Sequence, residues 1–279
     1  MAKKSVVPLK ELNLTDRFLF DEVMEDPLAH QAALNIIFGK EISLLMQNQT
    51  EKEKRLSPTI RSIRMDVYAM DQEKIIYNTE MQEERKTDLA KRSRYYQALI
   101  DTGLLEPGIP NYNLLNDSFI IIITPFDLFG FGKYVYTFDA RCREVPDCIL
   151  KDGAVRIFLN TRGTNDEDIS EELRTFLYYI ENTTEEAIRT TDSKNLKKLH
   201  ERVCKVKTNE EVGVKYMQAW EEKYYDREEG IEIGMRRQLT ELVEKKLKKG
   251  KSVEVIADEV EESIETVEEI IAEIMSREE

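Results

Sequence analysis

The stretch IRMDVYAMDQEKIIYNTEMQ, residues 63–82, decides the fold. In its first part Ile63, Met65, Val67 and Ala69 alternate with Arg64, Asp66 and Tyr68, the period of two that a strand imposes. In its second part Ile76, Asn78, Glu80 and Gln82 share one face, opposite Ile75, Tyr77, Thr79 and Met81. The connector 70–74 is short and polar, so strands over 63–69 and 75–82 are expected to form a β-hairpin. That alternation puts Asp66 on the polar face of the first strand, and Glu80 with Gln82 on the polar face of the second.

Working outward, residues 14–38 read as helix, with Thr15 or Asp16 as cap and an apolar stripe opened by Phe18, Phe20 and Val23. Pro27 divides it and Gly39 ends it. After the hairpin, 84–102 reads as a second helix, stopped by Gly103 and Pro107. Ser118–Thr124 is a continuous apolar run, the pattern of a strand buried on both faces. Further strands are expected over 133–139 and 155–161. From about Asp168 onward only helices follow. Glu171–Glu181 carries Leu173, Phe176, Leu177 and Ile180 inward, 194–230 is long and charged, and 235–249, 253–261 and 264–276 read as three short helices. Ser252 and Ser263 are the cap candidates for the last two. The expected organisation is an α/β domain over 1–182, a helical connector over 183–230, and a small helix-turn-helix-like tail over 231–279.

Composition narrows the function. The 279 residues are 41% hydrophobic and 34% charged, as in a globular protein, and no apolar run approaches the roughly 18 residues of a membrane span. The opening MAKKSVVPLKEL has no apolar signal core, so a cytoplasmic protein without a membrane is expected. Three cysteines (Cys142, Cys148, Cys204) and two histidines (His30, His200) fall in no ligand spacing, which leaves oxygen donors and a hard cation, Mg²⁺ or Mn²⁺, for any metal site. The net charge is −14, but 253–279 alone holds eleven Asp/Glu against one Arg. By contrast 83–97 has five Lys/Arg against three Asp/Glu, as a phosphate-facing groove or an ordinary solvated helix face would.

On antiparallel neighbours the carboxylates of Asp66 and Glu80 can converge on a divalent cation, which would polarise a phosphodiester and lower the pKa of a bound water. Arg92 and Tyr96, four apart, share a helix face, with Arg85 and Leu89 further along that side. Spacing alone is met more often by two carboxylates facing water on an exposed hairpin.

The wording of LTDRFLFDEVMED, IRSIRMDVYAMD, IIYNTEMQEERK and AKRSRYYQALID resembles the Rpn family, the recombination-promoting nucleases and transposase-like proteins of the PD-(D/E)XK superfamily. The resemblance is strongest over about 12–130, and NTEMQ followed by RSRYYQ is its most specific part. It implies a restriction-endonuclease-like αβββαβ core and Mg²⁺-dependent DNA cleavage. It assigns Asp66 and Glu80 to the metal, together with the main-chain carbonyl of Met81. Gln82 takes the place of the usual motif Lys and positions water, and Lys91 or Arg92 replaces that charge in space. Arg64, Lys91, Arg92 and Tyr96 are the expected DNA phosphate contacts. Asp16 matches an acidic position of the family's opening motif. The helical C-terminal region is expected to hold a homodimer. The leading expectation is therefore a metal-dependent DNA endonuclease. The alternative is a catalytically weak or inactive nuclease-fold protein that binds DNA or protein as a regulatory module.

Overall fold

The hairpin forms, with its second strand buried along its length, its first half-buried at the sheet edge and its turn residues 72–74 exposed. In the computed structural model, which describes residues 6–45, 67–104 and 110–276, β1 (Val67–Met70) and β2 (Ile76–Met81) pair antiparallel from Val67↔Thr79 to Met70↔Ile76. Residues 63–66 of the expected first strand lie outside the described residues. The turn is fixed by Asp71, whose carboxylate accepts from the Ile75 amide and the Tyr77 hydroxyl, both at 2.9 Å.

Three more strands complete one mixed sheet: β3 (Ser118–Thr124), β4 (Val135–Phe138) and β5 (Ala154–Asn160), in the order β1-β2-β3-β5-β4. The central strands β2, β3 and β5 run parallel, and the edge strands β1 and β4 are antiparallel to their neighbours. β3 spans the apolar run to the residue, and its Ile120, Ile121, Ile122 and Ile123 are each 0% exposed. Each fully buried side chain of that size stabilises the fold by about 1.5–3 kcal/mol.

Helices α1 (Arg17–Met24) and α2 (Pro27–Phe38) precede the sheet. Asp16 caps α1 through the Leu19 amide (3.2 Å), and Asp26 caps α2, where Pro27 takes the first turn and the left-handed Gly39 (φ 61°) the exit. Phe38 of α2 meets Tyr77 and Phe119 edge-on at 5.6 and 4.9 Å, so α2 covers one sheet face. The other face is covered by α3 (Leu89–Thr102), whose Leu89, Tyr96 and Ile100 pack with Ile76, Ile120, Ile122 and Phe158. β2 is buried along its whole length for that reason. The expected helix over 84–102 starts five residues late: 83–88 are exposed and offer nothing to bury, so Arg85 lies ahead of the helix rather than on its face.

After the sheet come α4 (Glu171–Glu181), α5 (Glu185–Ile188), α6 (Lys194–Thr208) and α7 (Glu210–Leu247). α4 has the expected bounds, with Ser170 as its cap. The expected helix over 194–230 is broken at Asn209, and the expected break before 235 does not occur, because α7 runs through Gly230 and Gly234. A helix-interior glycine costs only about 1 kcal/mol relative to alanine.

The chain divides into two compact units, Met1–Gly213 and Val214–Glu279, and the division falls within the 183–230 segment read from sequence as a connector. In the second unit α8 (Val253–Val260) and α9 (Ile264–Met275) pack Ile256, Ala257, Val267, Ile270 and Ile274 against Val243 of α7. Ser263 caps α9 through the Thr266 amide (3.1 Å), whereas the Ser252 side chain makes no cap bond. Among the described residues no helix is long and apolar enough to cross a membrane.

Candidate active site

The β2 face that carries Ile76, Asn78 and Glu80 lies under α3, and Glu80 is 1% exposed. A carboxylate this enclosed needs compensation, since an unpaired buried charge is expensive. Arg92 of α3 provides it: its Nη2 lies 3.3 Å from Glu80 Oε2 and donates to Gln82 Oε1 at 2.5 Å. The guanidinium rests over the Tyr96 ring, 5.5 Å from its centroid, and Tyr96 is itself buried in the core beneath α3. The (i, i+4) spacing on one helix brings cation and ring together. Gln82 also donates from Nε2 to the Glu84 carbonyl (3.4 Å).

Glu80, Gln82, Arg92 and Tyr96 therefore come together. Lys91, one residue before Arg92, is exposed and does not share its inward position. Met81 is 2% exposed, and alternation places its side chain on the face away from Glu80, so only its main-chain carbonyl is a candidate ligand there. Asp66 and Arg64 lie outside the described residues. Asp16, matched to the opening motif, acts here as the α1 cap.

Asn78 was not among the residues singled out from sequence. It is 0% exposed, and its Nδ2 donates to Glu80 Oε1 at 3.5 Å. The signal was present: Asn78 is two residues before Glu80 and so on the same face. On the reverse face, directly behind Glu80, Thr79 bonds His30 Nε2 of α2 at 3.0 Å. Burial pushes His30 down to about 3, so the imidazole is neutral at ordinary pH and ties α2 to β2 without charge.

The candidate ligand atoms at Glu80 are oxygens: its carboxylate, the Gln82 side-chain carbonyl and the Met81 main chain. Such a set suits Mg²⁺ or Mn²⁺ rather than a thiophilic metal. Among the described residues no three or more His, Cys, Asp or Glu cluster as a metal site.

The class of protein to which this sheet and its buried carboxylate belong is the PD-(D/E)XK nucleases, as the family match shows. The match is specific: residues 31–234 fit the model of the PD-(D/E)XK nuclease family transposase, and the chain belongs to that family. This agrees with the resemblance read from NTEMQ and RSRYYQ. No curated protein and no solved structure matches the chain.

Proposed function

We propose that this protein is an endonuclease that hydrolyses phosphodiester bonds of DNA with Mg²⁺ or Mn²⁺ as cofactor. The observation that carries the reading is Glu80: a carboxylate 1% exposed, inside a family of nucleases, sharing Arg92 with Gln82. Glu80, Asp66 and the Met81 carbonyl would hold the cation. When bound, the cation polarises the phosphodiester and lowers the pKa of the attacking water. Gln82 orients that water by hydrogen bonding but brings no charge, and Arg92 supplies the positive charge that a motif Lys would bring. Tyr96 fixes the guanidinium from below, and Arg64 and Lys91 would add phosphate contacts. The helical C-terminal region, with Ile231, Ile233 and Met235 exposed on α7, is assigned to self-association.

The test is cleavage of supercoiled, linear and single-stranded DNA at low salt, where phosphate contacts are strongest, by wild type, Asp66→Ala and Glu80→Gln. Both variants should lose activity. Undiminished cleavage by both would sink the site.

One observation favours the second reading, a nuclease fold that binds but cuts poorly. Arg92 already neutralises Glu80 and occupies Gln82, so a cation must compete with it. Mn²⁺ binding without turnover on any DNA form would select that reading.

A further inference from the structure

Asn78 is an unusual residue for its place. Its neighbour across β3 is Ile120 and its partner across β1 is Tyr68, on a face whose core is apolar. Asn78 is fully enclosed, yet its Oδ1 has no hydrogen-bond partner. The orientation of the amide follows from chemistry: an ionised carboxylate only accepts, so the NH₂ faces Glu80 and the oxygen is left over. A buried acceptor left unmet costs about 1–3 kcal/mol, and leucine, of nearly the same size, would avoid that cost. Packing therefore gives no reason for asparagine here. A second unmet group attends the same carboxylate: Arg92 Nε is buried without an acceptor, although its Nη2 serves both Glu80 and Gln82. The site holds one surplus acceptor and one surplus donor, and such groups call for a water or an ion.

We propose that Asn78 is a positioning residue of the cation centre. Its Nδ2 holds the Glu80 carboxylate, and its Oδ1 accepts a hydrogen bond from a water carried by the cation. This rests on Glu80 being a metal ligand. Mg²⁺ sheds its waters reluctantly and keeps several when protein-bound, so an acceptor beside the direct ligands has a defined partner. Arg92 Nε is the complementary donor, suited to an oxygen of the phosphate. Together the two unmet groups match a hydrated cation and an anion, in a site that is incomplete without them.

The experiment is a calorimetric titration of the full chain with Mn²⁺ alone, without DNA, on wild type, Asn78→Leu and Asn78→Asp, with thermal melts of the metal-free proteins. Asn78→Leu should bind Mn²⁺ about ten-fold or more weakly, the usual loss when an outer-shell partner of a metal is removed. Its metal-free melting temperature should change little, because removing the unmet acceptor offsets the loss of the long Nδ2 bond to Glu80. Asn78→Asp, which keeps an oxygen acceptor, should bind Mn²⁺ at least as tightly as wild type. A purely structural asparagine gives the reverse: a lower melting temperature in Asn78→Leu and unchanged affinity, and that result overturns the proposal. Should the leucine variant not fold, Asn78→Ala is read by its Mn²⁺ affinity alone, since its cavity lowers the melting temperature in either case. If wild type binds no Mn²⁺, the metal centre itself falls and this role with it. If wild type binds and Asn78→Leu binds equally well, only the role of Asn78 falls.

Discussion

Replacing Arg92 with methionine separates the ion pair from the packing beneath it. The methionine stem still covers Tyr96, while the guanidinium that serves Glu80 and Gln82 is lost. At 3.3 Å and an effective dielectric of about 20 the lost attraction is on the order of 5 kcal/mol. Removing one partner of a buried pair typically costs about 3–5 kcal/mol. Arg92 is 25% exposed against 2% for Glu80, so water screens the pair from one side, and Asn78 Nδ2 remains on the carboxylate. The expected loss is therefore about 2–3 kcal/mol, or about 5–10 °C in melting temperature for a unit of this size. The assay is thermal unfolding in EDTA and again with saturating Mn²⁺. A divalent cation replaces the missing positive charge, so Mn²⁺ should raise the melting temperature of Arg92→Met more than that of wild type. In the Glu80→Gln background the same substitution should cost far less, since no charge is left uncompensated. A metal-free melting temperature within about 1 °C of wild type, or an equal Mn²⁺ shift in both proteins, would refute the reasoning.

Other substitutions test the frame around the site. His30 is protonated near 6.5 when unfolded but only near 3 when folded, so between those values the unfolded chain binds the extra proton and stability falls as pH falls. From pH 7 to pH 5 its contribution to the loss is about 2 kcal/mol, and urea unfolding of His30→Gln should show that much less pH dependence. An unchanged pH slope would show that His30 is not the group responsible. Asp71→Ala strands the buried Tyr77 hydroxyl and the Ile75 amide and should cost about 2–3 kcal/mol; a loss under about 0.5 kcal/mol would contradict that network. Gly163→Ala would place a Cβ 2.3 Å from Cγ of the Tyr134 ring, which the Tyr134–Asp166 bond (3.0 Å) holds in place. That overlap should cost about 1–3 kcal/mol, and an unaltered melting temperature would show that the ring gives way freely.

What the sequence disclosed depends on whether neighbouring residues hold the information. Ser118–Thr124 is legible to the residue because a strand buried on both faces has no polar alternative. The bounds of Glu171–Glu181 are legible because Ser170 is a local cap. β2 is the opposite case. Its strand period is plain and sets Asn78 and Glu80 on the polar face, opposite Thr79, yet each of the three is at most 1% exposed. Their compensation comes from His30, far back in the chain, and Arg92, beyond the next turn. No window over β2 contains either partner. The same limit explains why sequence left Lys91 and Arg92 as equal substitutes for a motif lysine. Adjacent helix positions are about 100° apart, so only one can face the sheet, and which one depends on where the helix starts. The expected start at 84 does not set that phase; the start at Leu89 does, because the buried Leu89, Tyr96 and Ile100 fix which side of α3 meets the strands. Arg92 falls on that side, within reach of Glu80, and Lys91 does not. The proposed ligands Glu80 and Met81 lie along one strand and can be read there. The charge that balances Glu80 is decided by the rotation of a helix, and that rotation is set by apolar packing remote from the motif.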